Sequence, residues 1–352
     1  MSSKQKSIII LTPGFPASES DSNCLPMLQH FTLTLQQQQP GYRVMVLSFQ
    51  YPYFVDSYTW SGITVMSFNG QNKGGLYRQL LRFKLNKVLQ QIKQEHNIAG
   101  IISFWYGECA WVGKRFADKY NLKHVCWILG QDAKKGNKYI KQIGLKAYEL
   151  AALSHFIRDE FEKNYGIRPA FVIPPGIDGK QFGPATEQKN IHLLAAGSLI
   201  PLKQFDIFIE LVAGIKKYIP GIKAMLIGDG PERKELQRLI IEQELEANIE
   251  LTGELPHGIV LQSMQSAKIF IHPSDYEGFG VVCIEALYAG CRVISFCKPM
   301  EQEIENWQIA HNKEDMIQKA LSILQDKHTD FKTVLPFSMA DTADKMMSLF
   351  TG

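Results

Sequence analysis

A chain of 352 residues is about twice the usual size of one domain, so two domains, each burying its own core, are expected. Its 45% hydrophobic and 21% charged residues are ordinary for a globular protein and exclude a disordered, collagen-like or low-complexity chain. The net charge of +3 hides an asymmetry: residues 1–180 carry 22 basic against 12 acidic side chains, a net +10, and residues 181–352 carry 16 against 23, a net −7.

The basic half suits something negative, such as an anionic membrane surface or a phosphate-bearing acceptor, or equally an acidic second domain facing it across a cleft. The six cysteines (Cys24, Cys109, Cys126, Cys283, Cys291, Cys297) show neither a CxxC pair nor zinc-type spacing, which reads as reduced thiols in a cytoplasmic protein.

Taken in chain order, Met1–Lys6 is polar and Ile8–Leu11 is too short for a signal-peptide core or a membrane span, so it opens a strand. Short β-rich runs then alternate with helical stretches, the pattern of parallel sheets with crossover helices. The strands expected in the first half are Ser7–Leu11, Arg43–Ser48, Ile98–Ser103, Lys123–Ile128, Leu150–Leu153 and Ala170–Ile173. Tyr77–Glu95 has helical apolar spacing (Leu80, Leu81, Leu85, Val88, Leu89, Ile92) and a face carrying Arg78, Arg82, Lys84, Lys87 and Lys93, an ordinary surface helix or a membrane-docking one.

A turn-rich stretch from Pro174-Pro175-Gly176 through Gly183 to Asn190 marks the boundary, giving domains 1–183 and 184–335 and a last helix, Met339–Phe350, within 336–352 that folds back on the first. The second half repeats the scheme. Its strands are Ile191–Ala196, Lys223–Ile227, Ile249–Thr252, Ile269–His272 and Arg292–Phe296, and its helices Phe205–Tyr218, Glu232–Gln243, Val260–Gln265 and Val281–Ala289. The fold class is α/β, two Rossmann-like doubly wound domains.

The segment richest in chemistry runs from His272-Pro-Ser-Asp-Tyr-Glu277 through Gly278-Phe279-Gly280 to Glu285-Ala-Leu-Tyr-Ala-Gly290. A strand end, an acid, two glycines and a helix start place backbone N–H groups where a phosphate can approach, with Glu277 ahead of the helix and Glu285 on its second turn. Lys203 lies in the loop after Ile191–Ala196, and Gly228-Asp-Gly-Pro231 reads as a structural turn.

This pattern of two glutamates separated by seven residues, Pro-Ser…Glu277-Gly-Phe-Gly…Glu285-Ala…Gly, resembles that of the retaining glycosyltransferases of family four, which have the GT-B fold. Ala195–Asp206 with Lys203, Leu226–Pro231, Leu251–Glu254 and Ile173–Asp178 also resemble that family in order and spacing. The resemblance implies a metal-independent hexosyltransferase that moves a sugar from a nucleoside-diphosphate sugar to a hydroxyl acceptor with retention, in cell-surface polysaccharide or glycolipid assembly. Glu277 would hold the donor sugar, Lys203 the diphosphate, Glu285 the ribose hydroxyls, and Gly278, Phe279, Gly280, Ser198 and Gly14 would line the donor site.

No cofactor beyond the sugar nucleotide is implied, and no metal. The partners expected are that donor and a hydroxyl acceptor, which the charge asymmetry makes a lipid-linked or phosphorylated one at the inner face of the membrane, with a soluble acceptor as the alternative, and no nucleic acid. The chain departs from the family at Ser198, where an arginine is usual, at Cys297-Lys-Pro-Met-Glu301, and in the first domain, where Asp132 stands as a substitute for a histidine or as a loop cap. A sugar-nucleotide epimerase of the same fold and a non-catalytic binding protein remain as alternatives. A nicotinamide enzyme and a serine hydrolase are disfavoured by the absence of Gly-x-Gly-x-x-Gly after the first strand and of Gly-x-Ser-x-Gly.

Overall fold

A computed structural model of the protein describes residues 4–184 and 188–351. The chain divides into two units, Met1–Gly176 with Phe337–Gly352, and Ile177–Pro336. Residues 185–187 of the expected linker lie outside the described residues.

The first unit comprises β1 (Lys6–Gly14), α1 (Pro26–Gln38), β2 (Tyr42–Tyr51), β3 (Val55–Trp60), β4 (Ile63–Phe68), α2 (Gly75–Glu95), β5 (Asn97–Phe104) and α3 (Glu108–Tyr120). It continues through β6 (His124–Ile128), α4 (Tyr139–Ile143), β7 (Leu150–Ala152), α5 (His155–Tyr165) and β8 (Phe171–Val172). The sheet order is β3-β4-β2-β1-β5-β6-β7-β8, parallel except for the β3–β4 pair. The central strands are continuous apolar runs because helices cover both faces: Ile8 through Leu11 are fully buried. The β3–β4 hairpin closes on Ser61 and Gly62, both at positive φ, the two-residue geometry that matches strand twist.

The second unit comprises β9 (Ile191–Ala196), α6 (Phe205–Lys216), β10 (Ala224–Ile227), α7 (Arg233–Glu242), β11 (Ile249–Gly253) and α8 (His257–Gln265). It ends with β12 (Ala267–His272), α9 (Val281–Tyr288), β13 (Arg292–Ser295), β14 (Trp307–Ile309) and α10 (Lys313–Gln325). Its sheet is wholly parallel, in the order β11-β10-β9-β12-β13-β14. Its core brings Leu193, Ala195, Leu226 and Ile269 of the strands against Phe205, Phe208 and Val212 of α6 and Met316 and Ala320 of α10. Ile177–Gly183 goes with this unit, since Gly179 and Phe182 pack on Tyr288.

The last helix, α11 (Met339–Thr351), is part of the first unit and packs against α1. It buries Met346, Met347 and Phe350, each contributing on the order of 2 kcal/mol. Gly100 makes room for it, because a Cβ there would stand 2.0 Å from the Phe350 ring. Thr342 Oγ1 donates to Pro174 O at 2.9 Å.

In both sheets the strand order reverses once, between β1 and β5 and between β9 and β12. Open α/β sheets bind ligands outside the carboxyl ends of the strands at such a switch point. The topology therefore singles out Gly14 with Trp105–Gly107 in one unit and Gly197–Lys203 with His272–Gly280 in the other.

Candidate functional site

In the second unit the chain leaves β9 through Gly197 at φ +153 and turns once over Pro201–Lys203. It leaves β12 through Pro273 and Ser274. Asp275 N donates to Leu202 O at 3.1 Å, tying the two loops together. The neighbouring turn has no room for side chains. A Cβ on Gly228 would stand 1.9 Å from Gly197 O, and one on Gly230 2.5 Å from Leu199 O, which accounts for the glycines of Gly228-Asp-Gly-Pro231 structurally.

Held this way, Lys203 Nζ donates to Glu277 Oε2, and His272 Nε2 lies 3.2 Å from the same oxygen. His272 is 1% exposed, and its Nδ1 has no partner. Burial and the charge of Lys203 lower its pKa from 6.5, so the ring is neutral at pH 7 and carries its proton on Nε2, facing the carboxylate. Burial alone would raise the Glu277 pKa. The hydrogen bond from His272 and the Lys203 charge outweigh it and bring the carboxyl down to about 2. The result is a fixed anion between a cation and a neutral donor.

Glu277 leads into α9, whose N-cap is Gly280 at φ +80 with no side-chain cap. An uncapped helix start presents N–H groups and the positive end of the helix dipole to an anion. Phe279 is 1% exposed with its ring 6.1 Å from that of Trp307, so only its backbone is placed to meet a ligand. On the second turn of α9, Glu285 Oε1 is 3.0 Å from His257 Nε2, the first residue of α8, and this hydrogen bond raises the His257 pKa above 6.5. The Cys297 thiol donates to Ser274 O at 3.4 Å, bracing the same loop from after β13.

Lys203, Glu277, Gly278, Phe279, Gly280 and Glu285 thus come together around one helix start, with Ser198 exposed on the adjoining loop. Gly14 lies in the first unit, where a Cβ would meet nothing closer than 3.7 Å, so no close approach demands a glycine there. Asp132, also in the first unit, is 8% exposed and accepts from the N–H groups of Tyr106, Leu129 and Gly130 at 2.7, 3.2 and 2.8 Å. It caps a loop. Burial, opposed by these bonds, raises its pKa to about 6. His257 and His272 do not stand out in the sequence as site residues. A signal exists for His272, which ends a strand five residues before Glu277. Among the described residues no group of three or more His, Cys, Asp or Glu is placed to hold a metal ion.

Residues 178–332 match the family of glycosyl transferases group 1. That stretch lies within the second unit and contains Lys203, His257, His272, Glu277, Glu285 and the start of α9. The chain is 26% identical over 164 residues to the gpi3 subunit of the phosphatidylinositol N-acetylglucosaminyltransferase of Schizosaccharomyces pombe, covering 45% of this chain and 36% of that one. It is 27% identical over 177 residues to the GDP-mannose-dependent monoacylated alpha-(1-6)-phosphatidylinositol monomannoside mannosyltransferase of Corynebacterium glutamicum, covering 44% and 46%. The matches therefore span less than half the length of these two relatives. The fold is seen across the whole chain in Anabaena HepE, solved in complex with UDP and glucose, with a TM-score of 0.71 at 17% identity, covering 99% of this chain and 100% of that one. Both sheets therefore have the GT-B architecture of solved glycosyltransferases.

Proposed function

We propose that the protein is a retaining hexosyltransferase, which moves a sugar from a nucleoside diphosphate to a hydroxyl acceptor without a metal. The observation that carries this reading is the Lys203–Glu277–His272 cluster at the uncapped start of α9. The leaving group is a diphosphate, and its developing charge must be met at once. Lys203 and the N–H groups of the first turn of α9 supply a fixed positive field in the right place. Glu277, ionised and held from two sides, accepts hydroxyl hydrogen bonds from the donor sugar beside its reacting carbon. Glu285, oriented by His257, takes the ribose hydroxyls. Neither carboxylate acts as a covalent nucleophile; the leaving phosphate takes the acceptor proton.

The acceptor in this reading is lipid-linked and met at the cytoplasmic membrane face, in glycolipid or cell-surface polysaccharide assembly. It is supported by the net +10 of residues 1–180 and by the phosphatidylinositol-based substrates named for two relatives. No helix among the described residues is long and apolar enough to cross a membrane.

Thermal unfolding with UDP, GDP and ADP tests the donor site, since a ligand at a hundred times its Kd stabilises by about 2.7 kcal/mol. One nucleotide is expected to stabilise the wild type and to leave Lys203→Ala and Glu285→Ala unmoved. If none does so at millimolar concentration, the reading fails.

A further inference from the structure

Helix α2 has two apolar faces, and the fold uses one. Leu81, Leu85, Leu89 and Ile92 are buried in the core of the first unit. Leu76, Leu80 and Phe83 follow at i, i+4 and i+7 on the opposite side, with 84, 59 and 68% of their surface exposed. Tyr53 and Phe54, between β2 and β3, and Val55, the first residue of β3, are exposed as well. Val55 pairs with Phe68, and Tyr77 Oη donates to Asn69 O at 2.8 Å, so this connection stands beside the start of α2. Single exposed leucines are normal on a soluble protein; a stripe continued by aromatics marks a contact surface.

The charge around the stripe has one sign. No acidic residue occurs between Asp56 and Glu95, where Lys73, Arg78, Arg82, Lys84, Lys87 and Lys93 all fall. Arg78 and Arg82 are turned to Glu108 of α3, and Lys93 lies over the Tyr120 ring, so the basic residues do not form the single face expected from the sequence. Lys84 and Lys87 are exposed, with no acidic partner among the described residues, and Lys87 continues the Leu76–Leu80–Phe83 stripe by one turn. Their aliphatic stems can lie along an apolar layer while the ammonium heads stay at its polar boundary.

We propose that this face of α2 docks on an anionic lipid bilayer, with Leu76, Leu80 and Phe83 entering the headgroup–acyl boundary and Lys73, Lys84 and Lys87 meeting lipid phosphates. An apolar stripe rimmed by lysines, free of acids and flanked by Tyr53 and Tyr77, has the chemistry of an interfacial helix. This gives the lipid-linked acceptor reading a surface. It rests on that reading for its purpose only, because vesicle binding is measured without donor or acceptor.

The test is co-sedimentation with phosphatidylcholine vesicles, with and without phosphatidylglycerol. The wild type is expected to partition onto the phosphatidylglycerol vesicles and to be released as salt rises. Leu76→Ser/Leu80→Ser/Phe83→Ser is expected to lose at least about tenfold in partitioning. Lys84→Gln/Lys87→Gln should lose up to about 25-fold, at about fivefold per lysine, and much of the salt dependence. Ile241→Ser/Ile259→Ser, at exposed apolar positions of the second unit, should bind like the wild type, and a Phe83→Trp variant should show blue-shifted emission on anionic vesicles. The proposal is overturned if the wild type stays in the supernatant at low salt or if the triple serine variant sediments as the wild type does. It is equally overturned if the stripe proves to mediate self-association, seen as a sedimenting dimer that the triple variant abolishes while vesicles bind neither. Nucleotide-induced stabilisation of the triple variant reports separately on its folding and on the donor site.

Discussion

The two sheets reach their switch points with opposite use of a carboxylate, half-buried in one and buried in the other. In the second unit Glu277 is held by Lys203 and a neutral His272 and brought down to about 2, an anion kept ready beside an uncapped helix. In the first unit Asp132 is ringed by three backbone N–H groups yet raised to about 6, because burial without a cation costs more than those bonds return. In the proposed reading the first carboxylate serves a ligand; the second caps a loop. The same strand–helix architecture thus gives a place for chemistry without dictating which chemistry goes there.

The sharpest way to break the comparison is at the backbone. Gly228→Ala puts a methyl group 1.9 Å from Gly197 O at a φ of +146, and its three nearest neighbours are all backbone atoms of Gly197, so no flexible side chain can yield. The variant is expected to lose more than about 3 kcal/mol in urea unfolding, together with its nucleotide-induced stabilisation, because Gly197 leads into the Lys203 loop. Unchanged stability would mean that the β9 and β10 ends are not braced against each other.

Next in size is Glu277→Gln. A carboxyl moved from 4.5 to about 2 contributes stability fully present above pH 4.5 and lost as pH falls from there towards 2. Removing the charge should cost about 3 kcal/mol at pH 7, and the gap between wild type and variant should close below pH 4.5. His272, lowered from 6.5, works in the same direction, since its protonation in the unfolded chain opposes folding below that value. A gap that stays constant with pH would remove the charge argument for the cluster.

Asp132→Asn sharpens the contrast through its sign. The carboxyl takes Leu129 and Gly130 N–H on one oxygen and Tyr106 N–H on the other, so an amide leaves one donor facing a donor, at about 1–2 kcal/mol. With a folded pKa of about 6 against 3.8, the wild type gains stability as pH falls through 6, the reverse of Glu277, and the asparagine variant should lack that gain. Nucleotide-induced stabilisation should be unaffected. A variant that folds normally but loses it would return Asp132 to the candidate site.

Much of the second unit is legible in the sequence because β9 to β12 are short apolar runs closed by glycine or proline, and because Glu277, Glu285 and Lys203 stand at strand or helix ends that the pattern itself locates. What is not legible depends on contacts distant in sequence. His257 meets Glu285 only because α8 and α9 are neighbours, and Arg78 and Arg82 leave the outer face of α2 because Glu108 begins the next helix. The β3–β4 hairpin is absent from the expected strands although Ser61-Gly62 announces it, since its strands alternate weakly and lie at the sheet edge. Two apolar faces on α2 blur the helical periodicity, and only burial separates them.

Gly14→Ala is the smallest expected effect and bears on the first unit's own switch point. A Cβ there finds Leu25, Cys24 and Tyr51 at 3.7–3.8 Å, ordinary van der Waals contact. The backbone shows none of the positive φ that reserves Gly197 or Gly228 for glycine. Substitution should therefore leave folding within about 0.5 kcal/mol, with alanine also restricting the unfolded chain. Sugar transfer from the stabilising nucleotide's donor is then the informative readout. If Gly14→Ala folds like the wild type and transfers equally well, this strand end is a structural match to its counterpart without its role; if transfer falls several-fold while stability and nucleotide binding hold, the space above Gly14 is used by a substrate.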